Sequence, residues 1–319
     1  MKIAIVGAGV MGCATAWALR ERGADVTVYE QFELDHTRGS SHGRTRIFRL
    51  AYPEPYWIRF AQEAHAGWRE LDPDLLGLYG LVELSPDPAL LSTRALEETG
   101  VPIRLLDGEE VGALGATLPD GWTALYTADA GVVFSERARH TFLEAAAVEV
   151  ETNRRIASTD ELDADVVVVT AGSWIRDLVP DLPVTVTRET LAYFKWEGPP
   201  RPCIVDLSAE TRTHAMYSLH DPVYGLKAGW HHGGSEADPD TPGEPDPAIV
   251  GRITAWVRER FPDIDPSPVE AQTCLYTSTA DQDFILERRG RVVVGSACSG
   301  HGFKFAPAIG RRLAKLALD

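Results

Sequence analysis

Three glycines near the start of the chain have the spacing of a phosphate-binding turn. Gly7, Gly9 and Gly12 form a G-x-G-x-x-G pattern directly after the apolar run Lys2 to Val6, which is typical of a buried strand. In such a turn the first glycine permits the tight bend and the second lets the backbone approach a pyrophosphate. The third lets the following helix pack closely against the strand. The pattern therefore predicts a dinucleotide site.

An acidic residue stands where this turn predicts a ribose partner. Glu30 ends the second apolar run, Val26 to Tyr29, and lies 18 residues beyond Gly12. A carboxylate there can accept hydrogen bonds from both ribose hydroxyls and disfavours the 2′-phosphate of NADP. The amides of Val10 and Met11, at the start of the helix, would face the phosphates. The unit predicts FAD or NAD binding in an α/β, Rossmann-like fold.

A basic segment follows between residues 36 and 49. It holds four arginines and two histidines within 14 residues, namely Arg38, Arg44, Arg46, Arg49, His36 and His42. A solvated basic loop is the ordinary interpretation of such a run. Here the arginines alternate with small and apolar residues, which is typical of a loop folded over an anion. We expect Ser40, Ser41, His42 and Arg46 to line an active site.

Composition excludes several classes of partner. The chain of 319 residues carries 31 basic and 47 acidic residues, a net charge of −16, and has a pI near 5.0. This charge argues against nucleic acid or an anionic membrane as a partner. Cys13, Cys203, Cys274 and Cys298 show no paired or metal-type spacing, so we expect no metal site. Because Met1 leads directly into the first strand, we expect no signal peptide and a cytoplasmic protein.

A second run of valines resembles the first strand. Asp165 to Thr170 predicts a buried parallel strand, and Ala171, Gly172 and Trp174 follow it in a turn of small residues. In flavoproteins with two dinucleotide-type turns, this second turn returns the chain towards the pyrophosphate. The pair of turns favours FAD over NAD.

The remaining segments do not follow the doubly wound pattern. Alternating runs between residues 184 and 232 predict a mostly antiparallel sheet. We expect a discontinuous FAD-binding domain over residues 1–78, 132–178 and 270–319, and a substrate domain over residues 79–131 and 179–269. Helices are predicted over residues 54–71, 88–99, 136–147 with Ser135 as N-cap, 248–261, and from about Pro307 onwards.

Four segments together resemble the monomeric sarcosine oxidase family of FAD-dependent amine oxidases, which includes N-methyltryptophan oxidase. The resemblance extends from Lys2 to about Leu316. Its most specific segments are GSSHGRTRIFR (39–49), YGLKAGWH (224–231), CLYTSTADQDFIL (274–286) and SGHGFKF (299–305).

The resemblance implies roles around the flavin. Cys274 would attach FAD covalently at the 8α carbon, with an inert buried cysteine as the alternative. Lys227 would activate O₂ over the flavin, with a surface lysine as the alternative. Arg46 would lie against the flavin, on the same loop as His42. In the S-G-H-G-F-K turn the cofactor contacts are Gly300, Gly302, Phe303 and Lys304.

The resemblance also implies a substrate site. Arg49 and Lys304 would bind the substrate carboxylate, and no acidic partner for either is evident in the sequence. Tyr217 and His231 would lie near the substrate nitrogen, although a loop one residue shorter than in the sarcosine enzymes affects the alignment of Tyr217.

The implied reaction is the oxidation of a secondary α-amino acid, such as sarcosine, to an imine, with O₂ reduced to H₂O₂. The implied partners are the small-molecule amino acid and O₂, and the implied protein is a monomer. A cyclic or bulkier secondary amino acid is an alternative substrate. A dehydrogenase that passes electrons to a protein, a flavin-binding module without turnover and an NAD dehydrogenase remain alternatives.

Overall fold

Three β-sheets organise the computed structural model, which describes residues 1–207 and 214–319. The strands in these residues are β1 Lys2–Val6, β2 Asp25–Tyr29, β3 Thr45–Phe48, β4 Leu76–Gly77, β5 Leu81–Ser85, β6 Arg104–Leu106, β7 Thr123–Thr127, β8 Gly131–Phe134, β9 Glu149–Glu151, β10 Val166–Val169, β11 Thr185–Lys195, β12 Cys203–Asp206, β13 Met216–Asp221, β14 Gly225–Trp230, β15 Ser235–Glu236, β16 Glu270–Ser278, β17 Ile285–Arg289 and β18 Val292–Ser296.

Helices connect and cover these sheets. In the described ranges they are α1 Val10–Arg20, α2 Pro55–Leu71, α3 Thr93–Glu98, α4 Gly108–Ala113, α5 Ser135–Ala146, α6 Ile175–Leu178, α7 Pro247–Arg260 and α8 Ala306–Leu318. Within residues 1–207 and 214–319, none of the helices has the length and apolar character that a membrane crossing requires.

The first sheet, called here the parallel sheet, has the strand order β17-β18-β10-β1-β2-β9. Its neighbouring strands are parallel except for β17 and β18. Ile3 and Ile5 pack into the core that contains residues of α1, α5 and α8, whereas Ala4 and Val6 pack with Ile175 on the opposite face. Burial on both faces explains why β1 is a continuous apolar run.

The second sheet, called here the large sheet, has the order β15-β11-β14-β13-β12-β5-β7-β6, and β16 also pairs with β11. Its pairs are antiparallel except for β12 with β5. Leu226 and Ala228 pack in the core that contains Ile253 of α7. Because side chains alternate along a strand, Lys227 projects from the other face, opposite Tyr193 in the register. The predicted mostly antiparallel sheet is confirmed.

The strand that contains Cys274 joins the two regions. The sequence grouped residues 270–319 with the FAD-binding domain, but β16 pairs along nearly the whole of β11 in the large sheet. The chain enters the parallel sheet only afterwards, at β17. The division into two domains remains a prediction, and β16 shows where the two regions meet.

Two local predictions were wrong. The segment 88–99 is not one helix, because it forms a 3₁₀ turn over Pro88–Leu90 and then α3. Between them the Ser92 N–H donates to a carboxylate oxygen of Glu83 at 2.9 Å. Ser135 is not an N-cap, because it is the first residue of α5 and its hydroxyl donates instead to the Gly43 carbonyl.

Other elements were predicted to within a few residues. The strand–turn–helix–strand unit at the start is confirmed, and α1 begins at Val10 with Gly9 as its N-cap. The predicted helices 54–71 and 248–261 correspond to α2 and α7. In α8 a proline occupies the first turn, as expected.

The close contact at Gly12 gives a stability prediction. A β-carbon there would lie 1.9 Å from the Gly7 carbonyl oxygen, whereas one at Gly251 of α7 would have nothing within 4 Å. Gly12→Ala should therefore lower the free energy of unfolding by about 3 kcal/mol. The matched Gly251→Ala should raise it by about 0.5–1 kcal/mol, because alanine favours a helix. Urea unfolding followed by circular dichroism measures both, and equal effects would contradict a steric limit at Gly12.

Candidate active site

The predicted phosphate turn is built by contacts that exclude larger side chains. Gly7 has a φ of +103°, and a β-carbon there would lie 2.5 Å from the carbonyl oxygen of Thr170. A β-carbon on Gly9 would lie 3.3 Å from the Ser41 hydroxyl. That hydroxyl accepts the Val10 N–H at 3.0 Å. The start of α1 is therefore not bare, because the basic segment supplies a serine to its first amide.

The carboxylate of Glu30 is buried and already makes backbone contacts. Its Oε2 accepts the Ala8 N–H at 2.9 Å and its Oε1 accepts the Phe32 N–H at 3.0 Å. His36 Nε2 lies 3.7 Å from Oε1. Since a carboxylate has about four acceptor positions, it retains capacity for a ribose hydroxyl.

The second small-residue turn lies against the first. The hydroxyl of Thr170 donates to the carbonyls of Val6 and Gly7 at 3.2 Å each. Beyond Ala171 and Gly172, the Trp174 indole N–H donates to the Asp240 carboxylate at 2.7 Å. Asp240 belongs to the polar loop after β15, and no functional role was predicted for it.

Nearly all the predicted site residues line a cavity of about 710 Å³. The predicted residues on its wall are Gly7, Gly9, Val10, Met11, Glu30, Ser40, Ser41, His42, Arg46, Arg49, Ala171, Gly172, Trp174, Tyr217, Lys227, His231, Cys274, Gly300, Gly302, Phe303 and Lys304. Gly12 is not on the wall, because it packs behind the turn against Gly7 and Thr170.

Arg46 holds the basic segment in a folded conformation. Its guanidinium donates to the carbonyls of Thr45 at 2.9 Å and Ser40 at 2.8 Å, and also to the carbonyl of His42. Its Cζ lies 5.7 Å from the centre of the Phe303 ring. The segment is therefore a structured wall of the cavity rather than a solvated loop.

His42 presents an unsatisfied nitrogen in this wall. Its buried Nε2 has no hydrogen-bond partner in the described part of the chain. Burial, together with the Arg46 and Lys227 charges, lowers the pKa of His42 to about 3. A neutral imidazole with a free nitrogen beside a cavity fits a ligand that offers a polar group.

Lys227 is a cavity residue, so the surface alternative is wrong. Its side chain is 3% exposed, and its Nζ donates to the Thr45 carbonyl at 3.0 Å. Burial, together with the Arg46 guanidinium, lowers the pKa of Lys227 to about 7, although Cys274 acts in the opposite direction. A partly desolvated cation at this position interacts strongly with any negative charge in the cavity.

Cys274 shares the cavity face of the large sheet with an aromatic cluster. Burial raises the pKa of its thiol to about 11, and the charges of Arg46 and Lys227 act in the opposite direction. Tyr276, two residues further on, hydrogen-bonds Tyr217 and lies 3.4 Å, OH to Nδ1, from His231. No role was predicted for Tyr276, although its spacing from Cys274 places both on one face of a strand.

Arg49 has an acidic partner that the sequence analysis missed. Its Nη1 lies 3.7 Å from Oε1 of Glu83, which is fully buried in β5. The expectation that neither cation has such a partner is therefore wrong for Arg49. A signal was present, because Glu83 is a lone acid inside the apolar run Leu81–Ser85.

Lys304 is held by oxygen atoms of neutral groups. Its side chain is 2% exposed, and its Nζ donates to the Tyr52 hydroxyl at 3.0 Å and to the His301 carbonyl at 2.7 Å. Burial lowers the pKa of Lys304 well below its usual value, and the Arg49 charge adds to this effect. Tyr52 and His301 also contact each other, at 3.2 Å between OH and Nδ1. Neither was predicted.

Two glycines let the S-G-H-G-F-K turn approach these side chains. Gly300 has a φ of +69°, and a β-carbon there would lie 2.4 Å from the ring of Tyr276. A β-carbon on Gly302 would lie 1.8 Å from the Ala297 carbonyl. Phe303 stacks against Trp68, with ring centres 6.3 Å apart.

Comparison with known protein families identifies the chain. Residues 2–316 match the family of FAD dependent oxidoreductases. The chain belongs to this family. It is 30% identical to the human peroxisomal sarcosine oxidase over 98% of this chain and 91% of that protein. Identity is 28% with the monomeric sarcosine oxidase of Bacillus sp. (strain B-0618), over 99% and 92% of the two chains, and 27% with the N-methyl-L-tryptophan oxidase of Yersinia pestis (strain Pestoides F), over 99% and 94%.

Solved structures of FAD dependent oxidoreductase type share the fold. NikD, an unusual amino acid oxidase essential for nikkomycin biosynthesis, superposes with a TM-score of 0.87 at 23% identity, covering 99% of this chain and 93% of NikD. The L-proline dehydrogenase from P. horikoshii superposes with a TM-score of 0.83 at 17% identity, covering 99% and 92%. The predicted α/β fold with a second, mostly antiparallel sheet is confirmed.

The residues of this cavity fit FAD. Side chains are sterically excluded at Gly7 and Gly12, which permit the tight bend and the close packing of α1, and Gly9 presents bare backbone on the cavity wall where a pyrophosphate would approach. The buried Nε2 of His42, a residue of the cavity wall, lacks a partner within the described residues. The volume of about 710 Å³ lies within the range of cofactor sites.

The buried histidines give a pH prediction. The pKa of His42 and of His301 is about 3 in the folded chain, against an ordinary value of 6.5. Unfolding below pH 6.5 therefore takes up protons, so the free energy of unfolding should fall as the pH decreases from about 6.5 towards 3. Each such histidine contributes up to about 1.4 kcal/mol per pH unit.

The His42→Asn variant should take up about one proton fewer on unfolding between about pH 6 and 4. Its free energy of unfolding should therefore fall less steeply as the pH decreases. Urea unfolding at a series of pH values measures the slope. An unchanged slope in this variant would mean that His42 is protonated in the folded protein.

Proposed function

We propose that the protein is an FAD-dependent oxidase of a secondary α-amino acid, such as sarcosine or another N-methyl amino acid. The observation that carries the proposal is the pair Arg49 and Lys304, which line the same cavity as the phosphate turn at Gly7 and Gly9. The relatives named above as sarcosine oxidases and N-methyl-L-tryptophan oxidases support the substrate class.

The proposed cofactor residues are those predicted from the sequence. Glu30 would hold the ribose, the turn at Gly7 to Gly12 the pyrophosphate, and Arg46 with His42 the flavin. When bound, FAD supplies the two-electron acceptor for oxidation of a C–N bond. The protein supplies orientation, exclusion of water and fixed charge.

Arg49 and Lys304 would orient the substrate through its carboxylate. Both are cations, and burial lowers the pKa of Lys304, so an arriving carboxylate favours its charged form. Charge-assisted hydrogen bonds of this kind contribute about 1.5–3 kcal/mol each. Such a pair selects amino acids over simple amines. Glu83 would fix the direction from which Arg49 approaches.

His231, Tyr217 and Tyr276 would receive the substrate nitrogen. Burial lowers the pKa of His231 well below its usual value and raises the pKa of both tyrosines. His231 is therefore a neutral acceptor and the phenols stay protonated donors at neutral pH. These neutral groups and the nearby Arg49 and Lys304 charges disfavour an ammonium ion in the site, so the substrate proton is lost to solvent and the amine that oxidation requires is favoured.

Lys227 would provide the positive charge for the reaction with O₂. When O₂ accepts an electron, negative charge develops in a site that excludes water. A fixed cation about 4 Å away is worth about 4 kcal/mol at an effective dielectric of about 20. The proposal of O₂ rather than a protein as electron acceptor depends mainly on this residue.

Cys274 is the proposed covalent attachment point for FAD. It lies on the cavity wall, and the neighbouring cations Arg46 and Lys227 favour its thiolate form. Cys13 and Cys203 donate to the carbonyls of Ala8 and Gly131 within buried cores. These contacts argue against Cys13 and Cys203, whereas Cys298 also lies on the cavity wall, and the family resemblance favours Cys274 over it.

The carboxylate clamp gives the first functional prediction. Lys304→Met should raise the KM for sarcosine about 10- to 100-fold, because one charge-assisted bond is lost. Reoxidation of the reduced flavin by O₂ should change little. Lys195→Met offers a control, because it removes the same charge from a side chain that is 67% exposed to solvent. This variant should keep the native KM. Equal activity of the native enzyme on sarcosine and on dimethylamine would contradict the clamp.

The second functional prediction concerns oxygen. Lys227→Met should leave anaerobic flavin reduction largely intact and slow reoxidation about a thousandfold, which corresponds to about 4 kcal/mol. Because only the ammonium form is charged, native reoxidation should slow as the pH rises through the pKa of Lys227, and the variant should lose this dependence. Stopped-flow absorbance measures both steps. Unchanged reoxidation in the variant would make Lys227 a structural residue.

The third functional prediction concerns attachment. Protein precipitated in acid should stay yellow, and its intact mass should exceed that of the chain by one FAD. Cys274→Ser should bind FAD reversibly, and Cys298→Ser should behave like the native protein. Release of all flavin by acid from the native protein would make Cys274 a core residue.

A further inference from the structure

A buried carboxylate lies beside the proposed substrate site and has no part in the mechanism above. Glu189 in β11 is 3% exposed, and burial raises its pKa. Its Oε1 accepts the Thr187 hydroxyl at 2.6 Å, and its Oε2 accepts the Gly234 N–H at 2.9 Å. A buried carboxylate with this environment requires a reason, because an apolar residue would cost less to bury.

The carboxylate contacts a strained turn over residues 231–234. His232 has a φ of +54°, in the left-handed region that non-glycine residues rarely adopt. A β-carbon on Gly234 would lie 2.0 Å from the Arg188 carbonyl, and one on Gly233 would lie 2.3 Å from the Trp230 ring. The turn therefore lies tightly on β11. A strained conformation of this kind persists only where surrounding contacts hold it.

This turn carries His231 into the cavity. The His231 N–H donates to the Ala215 carbonyl at 3.0 Å. Its ring centre lies 5.6 Å from that of Tyr276 and 4.3 Å from that of His232. The position of the imidazole thus depends on the turn that follows it.

The strand register places the Glu189 carboxylate on the face of the large sheet that carries Cys274 and Tyr276. Glu189 is the direct partner of Cys274, and Thr187 is the direct partner of Tyr276. Directly opposed residues point to the same face of a sheet. Glu189 therefore links the strand that carries Cys274 and Tyr276 to the turn that carries His231.

We propose that Glu189 is a positioning residue that holds the His231–Gly234 turn and so sets His231 against Tyr276 for the substrate nitrogen. The inference rests on the proposed function, because it assigns the turn to amine binding. The carboxylate acts through its reach to the Gly234 N–H and not through its charge.

Two conservative variants separate reach from charge. Glu189→Gln keeps the length of the side chain, and its amide oxygen can still accept the Gly234 N–H. Glu189→Asp keeps the charge but is one methylene too short. Glu236, which is exposed on the adjacent strand β15, provides the control Glu236→Asp.

The measurement is the rate constant of anaerobic flavin reduction at saturating sarcosine, with flavin content and melting temperature recorded for each variant. Glu189→Asp should lower this rate constant at least about tenfold, because small displacements of a reacting group are costly. In Glu189→Gln and Glu236→Asp the rate constant should stay within about threefold of the native value, a much smaller change than the loss expected for Glu189→Asp. Flavin content should be unchanged in all three.

A second readout is independent of turnover. The His231 Cε1–H proton resonance in ¹³C-histidine-labelled protein senses the ring currents of Tyr276 and His232. The chemical shift of this resonance should change in Glu189→Asp and should equal that of the native protein in Glu189→Gln. If Glu189→Asp cannot be purified as a folded protein, Thr187→Val provides a second test, because it removes the hydroxyl that donates to Glu189. This variant should change the chemical shift of His231 in the same direction by a smaller amount.

The outcomes are distinct. A native-like Glu189→Asp, or a Glu189→Gln as impaired as Glu189→Asp, overturns the positioning role. A native protein that no secondary amino acid reduces, with the resonance moving as described, overturns the proposed function and leaves the positioning of His231 in place.

Discussion

Burial of positive charge in one cavity is the constraint on which the rest of this structure depends. Lys227 and Lys304 are almost completely removed from water in a chain of net charge −16. Their ammonium groups donate to carbonyl and hydroxyl oxygens rather than carboxylates. Neutral acceptors compensate only part of the cost of desolvating a cation, so both pKa values fall. A ligand with negative charge therefore stabilises the folded cavity.

The two buried lysines lie on different elements of the fold. Lys227 projects from β14 of the large sheet and contacts β3 through the Thr45 carbonyl. Lys304 lies in the turn before α8 and is fixed by Tyr52, which follows the basic segment. Because different elements hold the two lysines, the proposed roles towards O₂ and towards a carboxylate fall to separate side chains of one cavity wall. The strand β16 contributes Cys274 and Tyr276 to the same wall.

Much of the site followed from local patterns. The phosphate turn could be predicted because the spacing of Gly7, Gly9 and Gly12 and the strand before them are contiguous in sequence. The burial of Lys227 could be expected from its apolar neighbours Leu226 and Trp230. In each case the chemistry and the element that positions it lie within a few residues.

The contacts that were missed join segments far apart in the chain. The ion pair of Arg49 with Glu83 and the bond of Trp174 with Asp240 both depend on how strands and loops pair, which local periodicity does not report. Ser135 was predicted as an N-cap from its type alone, and the Gly43 carbonyl supplied a stronger tertiary partner. The proposed role of Glu189 rests on the register of β11 with β16, which local periodicity does not report either.

The proposed reaction of this cavity is the oxidation of secondary amino acids with a bound flavin and O₂. A decisive experiment adds sarcosine and larger N-methyl amino acids to the purified protein without oxygen, and then admits air. We expect loss of the visible flavin absorption with at least one of these substrates, and its return with one H₂O₂ formed per flavin. A flavin spectrum that no secondary amino acid changes, or a reduced flavin that air does not reoxidise, would contradict it.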